Sequence, residues 1–470
     1  MSDGSTSFLK RLFEGDRVLW AVTLILSIFS GLVNFSATSQ LVNKTGDVNG
    51  EAIGHGLALL IGLLIAIVVH HRLSLKWIKK GTFISLGIAL FLLMAMTFPG
   101  MIPSFMSGII DVSTLNSASR WVKVLGFTFQ PSEIAKLALV ASVAYYLTVP
   151  VHESSLFKFI AKRLKKDLDD EKFVRNTRFT LFIVTMLLVT LPTTMANMST
   201  GVIVYLICLS MLWLSDVWNK AVLVMLVATM LFGGAFALVL KHGHDTGNHV
   251  FSRGETWYNR TISFLLEDEN TKYNYNDYTS QVVHSQIAIS RSGLFGLGPG
   301  NSRERDVLPQ IFADFVFAII IEEYGLFFGM LTLSAYLALL YRCGMIAKRV
   351  RDPYISLLVL GIGTIITMQA LISAGVSVHL GPVTGQPLPL ISRGRTSILI
   401  TFLAIGVIER LAVLSLQKNE QDAVAVAETA EAETENETEE NAMDEEVAPD
   451  VTDEAVAEQN DETEETNYNI

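Results

Sequence analysis

Asp314, Glu322 and Glu323 fall at the head of one apolar run, "DFVFAIIIEEYGLFFG" (314–329), that continues to Tyr341. An ionisable side chain at membrane depth costs roughly 2.5 kcal/mol or more, so it marks a pathway or an active site unless other helices bond to it. Asp314 stands at the mouth of the run. The two glutamates lie about 12–14 Å deeper along a helix, too deep to meet a polar headgroup, and suit bonds across a helix bundle. Glu133 and Lys136 in "QPSEIAK" are three apart and share a helix face, either as a functional pair or as a structural ion pair behind Pro131. Arg303 and Arg305 end a glycine-dense stretch, "SRSGLFGLGPGNSRER" (290–305), with the chemistry to hold phosphate. No strand precedes its GxG element, so a nucleotide-binding loop is a poor reading. A backbone that comes close to a ligand and a merely flexible loop both remain. Arg393 and Arg395 in "GPVTGQPLPLISRGRTS" (381–397) either hold an anionic group or snorkel to the interface. His242, His244 and His249 have no fixed second ligand group and read as a solvated loop rather than a metal site.

The elements that must position these residues are membrane helices. Of 470 residues, 50% are hydrophobic and the mean hydropathy is +0.42, which excludes an ordinary soluble domain. Apolar stretches of about 20 residues predict an all-α polytopic membrane protein of about ten transmembrane helices. They fall at 18–38, 54–70, 82–99, 131–150, 179–196, 200–215, 221–240, 314–341, 354–374 and 396–416, with a large extracytoplasmic loop (241–311) between the seventh and eighth. The charge-free run 179–215 is too long for one helix, and "PTTMANMST" (192–200) predicts a tight hairpin within it. Residues 1–17 are a cytoplasmic N-terminus whose basic residues lead into an uncleaved first helix. The net charge of −11 comes from the end of the chain: beyond Lys418 there is no basic residue, and 20 acidic ones lie between Glu420 and Glu465. Residues 417–470 therefore read as a disordered acidic cytoplasmic tail. Cys208 and Cys343 fall in apolar segments and suggest neither a disulfide framework nor a metal site.

The basic loops "HRLSLKWIKK", "FKFIAKRLKKDLDDEKFVRNTR" and "YRCGMIAKRVRD" place both termini in the cytoplasm. The polar clusters (Arg120 to Lys136, Asn197 to Thr200, Arg291 to Asp314, Gly381 to Arg395) then all fall at outer ends of spans. A reaction there, away from ATP, needs an already activated substrate. Nothing in the pattern addresses nucleic acid.

The blocks "QPSEIAKLALV", "GLFGLGPGNS…LPQIFADFVFAIIIEEYG" and "GPVTGQPLPLIS" resemble, in order and at the expected spans, the motif blocks of the SEDS family (shape, elongation, division and sporulation), the FtsW/RodA proteins. The resemblance covers roughly residues 15–415. It implies a bacterial peptidoglycan glycosyltransferase that polymerises lipid II outside the cytoplasmic membrane with a class B penicillin-binding protein, a transpeptidase. By the same resemblance Asp314, in "ADF" for the family's "TDF", is the catalytic carboxylate. Glu133 and Lys136 match the functional Glu and Lys, and Arg120 with Trp121 matches an Arg-Trp pair. Three departures stand out: "MANMST" replaces "QPDLGT", with Asn197 for an aspartate; Ala313 replaces Thr; and "SRGRTS" replaces "SYGGSS".

The implied chemistry needs a base for the acceptor 4-hydroxyl and positive charge on the departing pyrophosphate. Arginine, lysine or a divalent cation (magnesium or manganese) suits the second task; no covalently bound cofactor is expected. Substrate-binding candidates are Arg120, Glu133, Lys136, Asn197, Arg303, Arg305, Arg393 and Arg395. Two rivals are a lipid II flippase, which intramembrane charges also fit, and a scaffold that only recruits the transpeptidase. The charged tail, suited to docking other division proteins, favours septal synthesis (the FtsW type) over elongation (the RodA type).

Overall fold

The computed structural model describes residues 12–45, 48–98, 110–115, 118–124, 127–215, 219–246, 257–258, 277–306 and 315–417. Its principal helices are α1 (Arg17–Thr45), α2 (Val48–Arg72), α3 (Leu75–Thr97), α4 (Pro131–Thr148), α5 (Ser155–Leu164), α6 (Glu171–Ala196), α7 (Met198–Leu214), α8 (Asn219–Thr246), α9 (Asp277–Ser292), α10 (Val316–Arg349), α11 (Pro353–Ser377) and α12 (Arg395–Gln417). Eight of these (α1–α3, α6, α8 and α10–α12) are long and apolar enough to cross a membrane. The shorter α7, and α4 with its charged first turns, take the remaining two of the ten expected positions. The protein is thus a polytopic, all-α membrane protein in its framework.

Local sequence starts and stops these helices. The Asp170 carboxylate caps α6 by accepting from Lys172 N and Phe173 N at 3.0 and 3.1 Å. Asp352 caps α11, with Pro353 in its first turn. The expected hairpin is made by one residue: Asn197 alone separates α6 from α7, with φ −152° and ψ 104°. The bundle closes around large buried side chains, among them Trp20, Phe182, Tyr336, Tyr354 and Phe402. Within it α10 packs extensively on α11, and α3 on α4.

Three departures from the expectations bear on the site. Between α3 and α4 lies an antiparallel ribbon, β1 (Ile110–Leu115), β2 (Ala118–Val124) and β3 (Phe127–Phe129), with Val122 opposite Phe129. Valines and aromatics alternating with polar residues favour that ribbon. The expected loop 241–311 is partly helical: α8 runs to Thr246, so His242 and His244 sit on its last turns, and α9 packs on α10. His249 lies outside the described residues. Finally, 381–394 is not an exposed outer loop. It re-enters the bundle, and residues 386–392 are all buried. Non-helical backbone survives at such depth only where protein satisfies its polar groups.

Candidate active site

Pro131 opens α4 at a position that needs no N–H donor, which puts Glu133 and Lys136 on the first two turns, facing inward. Both are buried, at 4% and 2% exposure, so their charges survive only as a pair. Lys136 Nζ donates to Glu133 Oε1 at 2.8 Å and to Gln369 Oε1 of α11 at 2.6 Å. A small cavity of about 20 Å³ adjoins them, walled by Ile362, Ile366 and Pro389. That is room for about one water.

Gln369 passes the connection on. Its Nε2 donates to Pro387 O of the re-entrant segment at 3.0 Å. Other side chains satisfy further carbonyls of that segment. Tyr336 OH of α10 donates to Pro389 O, and Asn34 Nδ2 of α1 to Ile391 O at 2.6 Å. The α6–α7 turn docks on it as well: Gln386 Nε2 donates to Thr200 Oγ1, and Asn197 Nδ2 makes a long contact of 3.5 Å to Thr384 O. Thr396 Oγ1 at the head of α12 donates to Thr128 O of β3 at 3.0 Å, which draws the ribbon to the same end.

The glycine-dense stretch finds its partner inside the protein. α10 is interrupted at Gly325 (φ 88°, ψ 170°), which exposes backbone groups on either side of the break. The loop fills that break like a short paired strand. Leu297 N and Gly298 N donate to Glu322 O and Glu323 O at 2.8 and 2.9 Å, while Leu326 N and Phe327 N donate to Gly293 O and Leu294 O at 3.2 Å each. A Cβ at Gly296 or Gly325 would run into the opposing backbone. Close backbone approach is therefore the reason for these glycines, and what they approach is α10 rather than a ligand.

Glu322 and Glu323 complete this joint, both fully buried. Glu322 accepts from the Ser302 hydroxyl and from Arg303 N at 3.0 Å. Glu323 accepts from Ser36 Oγ of α1 at 2.6 Å, with Arg305 Nη1 at 3.7 Å. Arg305 Nη1 also donates to Ser36 O at 2.9 Å. Glu304 joins His284 Nδ1 at 2.7 Å and Arg291 Nη1 at 2.8 Å, both from α9. The loop that leads toward residue 314 is thereby fastened to α1, α9 and α10.

Several expected site residues change standing. Arg305, expected to bind substrate, is buried, with Nη1 on Ser36 of α1 and 3.7 Å from Glu323. Arg303 is exposed. Arg393 is half-buried and Arg395 exposed, just after the buried stretch of the re-entrant segment. Arg120 lies on β2, described in its backbone only, and Asp314 and Ala313 lie outside the described residues. Sequence reasoning missed Ser36, Asn34, Tyr336 and Gln369; the usable signal was a polar group inside an apolar helix. Among the described residues no group of three or more His, Cys, Asp or Glu side chains could hold a metal ion. They do not supply a divalent-cation site, and no step below is routed through one.

The model of the FtsW/RodA/SpoVE family, described as "Cell cycle protein", matches residues 16–417. A protein of Alcanivorax borkumensis named "Probable peptidoglycan glycosyltransferase FtsW" is 29% identical over 399 residues, covering 84% of this chain and 91% of that one. One of the same name from Bacillus subtilis is 29% identical over 345 residues, covering 70% and 78%. Among solved structures, a chain from "Structural coordination of polymerization and crosslinking by a peptidoglycan synthase complex" superposes with a TM-score of 0.61 at 20% identity, covering 86% and 99%. The crystal structure of the Thermus thermophilus rod shape determining protein RodA gives 0.55 at 19%, covering 86% and 98%. At these identities the structures show a shared fold.

Proposed function

Because the chain belongs to the FtsW/RodA/SpoVE family of cell cycle proteins, we propose that it is a peptidoglycan glycosyltransferase of the FtsW type, polymerising lipid II for septal wall synthesis. The observation that carries the reading is the continuous link from Glu133–Lys136 through Gln369 to the re-entrant segment, in a chain whose relatives bear that name. The link holds a buried cation beside non-helical backbone, which is what recognition of an anionic lipid-linked sugar requires.

The reaction takes place at the outer ends of the spans, with both termini in the cytoplasm. Asp314, one residue ahead of the buried Phe315 that opens α10, is the general base for the acceptor 4-hydroxyl. Lys136 stabilises negative charge in the transition state, with Glu133 and Gln369 fixing its ammonium. Arg303, which is exposed, contributes to substrate binding, as does Arg120 by the family resemblance. Inversion at the donor carbon calls for one displacement with one base. Glu322, Glu323 and Arg305 act through the loop they hold. The product strand passes to a class B penicillin-binding protein, its transpeptidase partner, and other division proteins bring the pair to the septum.

The test is reconstitution of the full chain in liposomes with fluorescent lipid II, with and without the transpeptidase. Glycan ladders are expected. Label crossing the bilayer without any polymer, partner present, would favour a flippase instead.

A further inference from the structure

The break at Gly325 leaves the two halves of α10 without a continuous helical ladder. The bonds that would carry a helix across it run from Leu326 N to Glu322 O and from Phe327 N to Glu323 O. All four of those groups bond to the glycine-dense loop instead. The two halves also hold different parts of the site. Glu322 and Glu323, before the break, receive the loop at 302–305. Tyr336, after it, donates to Pro389 O of the re-entrant segment. Alongside runs α1, a single helix of 29 residues. Its cap, Asp16, meets Arg342 Nε at 3.1 Å, beyond the break. Phe29 lies against Tyr324 and Phe328, one on each side of Gly325, with ring centroids 5.2 and 6.4 Å away. Ser36 Oγ donates to Glu323 Oε1 at 2.6 Å, ahead of the break.

Asn34, two residues before Ser36, reaches the other partner. Its Nδ2 donates to Ile391 O of the re-entrant segment at 2.6 Å and to Ser30 O of its own helix at 3.0 Å, so both amide hydrogens are committed. Two residues turn a helix through about 200°, which lets buried Asn34 and Ser36 face different neighbours while Phe35 between them stays exposed. We propose that α1 is a splint across the break in α10, and that Asn34 and Ser36 are positioning residues for glycan polymerisation. Together they hold the loop that leads toward residue 314 in register with the re-entrant segment, which Lys136 reaches through Gln369. A misplacement of about 1 Å can cost about 10²-fold in rate, so that register matters to the reaction. The consequence for polymerisation rests on the glycosyltransferase reading; the splint itself rests on the contacts.

The experiment takes two readouts on the full chain in liposomes: hydrogen exchange without substrate, and kcat and KM with fluorescent lipid II. Asn34→Leu removes a bond to the re-entrant segment, yet it is expected to speed exchange at Leu297 and Gly298, which bond to α10. Ser36→Ala removes a bond to α10 and is expected to speed exchange at Leu388 and Ser392 of the re-entrant segment. Each substitution should lower kcat about tenfold and leave KM little changed. The double variant should lose less than the product of the two, because both loosen one device. Ser36→Thr keeps the hydroxyl and should restore both readouts. Faster exchange confined to the segment each substitution touches overturns the splint, whatever the activity. Crosswise exchange with unchanged kcat overturns the positioning role. Ser36→Ala, which removes a single oxygen, decides by the same two readouts if Asn34→Leu fails to fold. Crosswise exchange in a protein that makes no glycan even as wild type would sink the polymerase reading and leave the splint standing. Wild-type glycan synthesis with exchange confined to the near side would do the reverse.

Discussion

Buried acidic groups on α4 and on α10 meet different partners, and Glu323 keeps one oxygen, Oε2, without a hydrogen bond among the described residues. Glu133 on α4 faces a full counter-charge, Lys136, which is itself shared with Gln369 and borders a small cavity. Glu322 and Glu323 on α10 are met by a serine hydroxyl each and by backbone N–H or arginine from a neighbouring segment. Backbone and hydroxyl donors fix a carboxylate in place and give it nothing to react with. A lysine that borders a cavity leaves free space beside the pair, room for about one water. What satisfies a buried carboxylate, more than how deep it lies, separates a working group from a fastening.

The comparison breaks most sharply at Lys136. Lys136→Met leaves Glu133 buried and unpaired, which costs about 3–5 kcal/mol of stability, and polymerisation should fall by about two orders of magnitude. In Glu133→Gln/Lys136→Met the stability should return and the activity should not. A double variant that folds and polymerises normally would return the pair to a structural role.

Next comes the break in α10. Gly325→Ala places a side chain in a backbone region open essentially to glycine, at about 1–3 kcal/mol, and pushes it against Leu294 and Phe295. The expected outcome is a lower unfolding temperature together with faster hydrogen exchange at Leu297 and Gly298. Unchanged exchange there would mean that the loop is not held by α10.

Smaller effects sharpen the contrast. Glu322→Gln keeps one acceptor oxygen and weakens the Ser302 and Arg303 contacts, for about 1–3 kcal/mol. Its polymerisation per folded molecule should stay within a few-fold of wild type. Smallest of all, deleting residues 419–470 should leave polymerisation in detergent unchanged, because that stretch offers almost no apolar surface to pack. A large loss would make the tail part of the working enzyme.

Much of the frame was legible beforehand, for physical reasons. Hydropathy located ten helices because the bilayer sets their length. The three-residue spacing of Glu133 and Lys136 announced a shared face, and the polar cluster around Asn197 announced a turn. The re-entry of 381–394 was not legible, because proline and glycine mark broken helix without saying whether the break faces water or protein. Nor was the joint at Gly325. A single glycine in an apolar run is unremarkable until Gly296, about thirty residues earlier, is seen against it. The burial of Arg305 against α1 and Glu323 was not legible for a related reason: an arginine at a helix joint has the same letter as one in a solvated loop.

The most direct test is glycan formation by Asp314→Asn beside Glu322→Gln and Glu323→Gln, reconstituted at matched amounts of folded protein. Asparagine keeps the shape and removes the basicity, and loss of a general base typically costs about 10²- to 10⁴-fold. The account predicts a loss of that size for Asp314→Asn, with unchanged thermal unfolding, while the two glutamine variants polymerise at near wild-type rates per folded molecule. Substantial polymerisation by Asp314→Asn, or a loss confined to the glutamate variants, would contradict it.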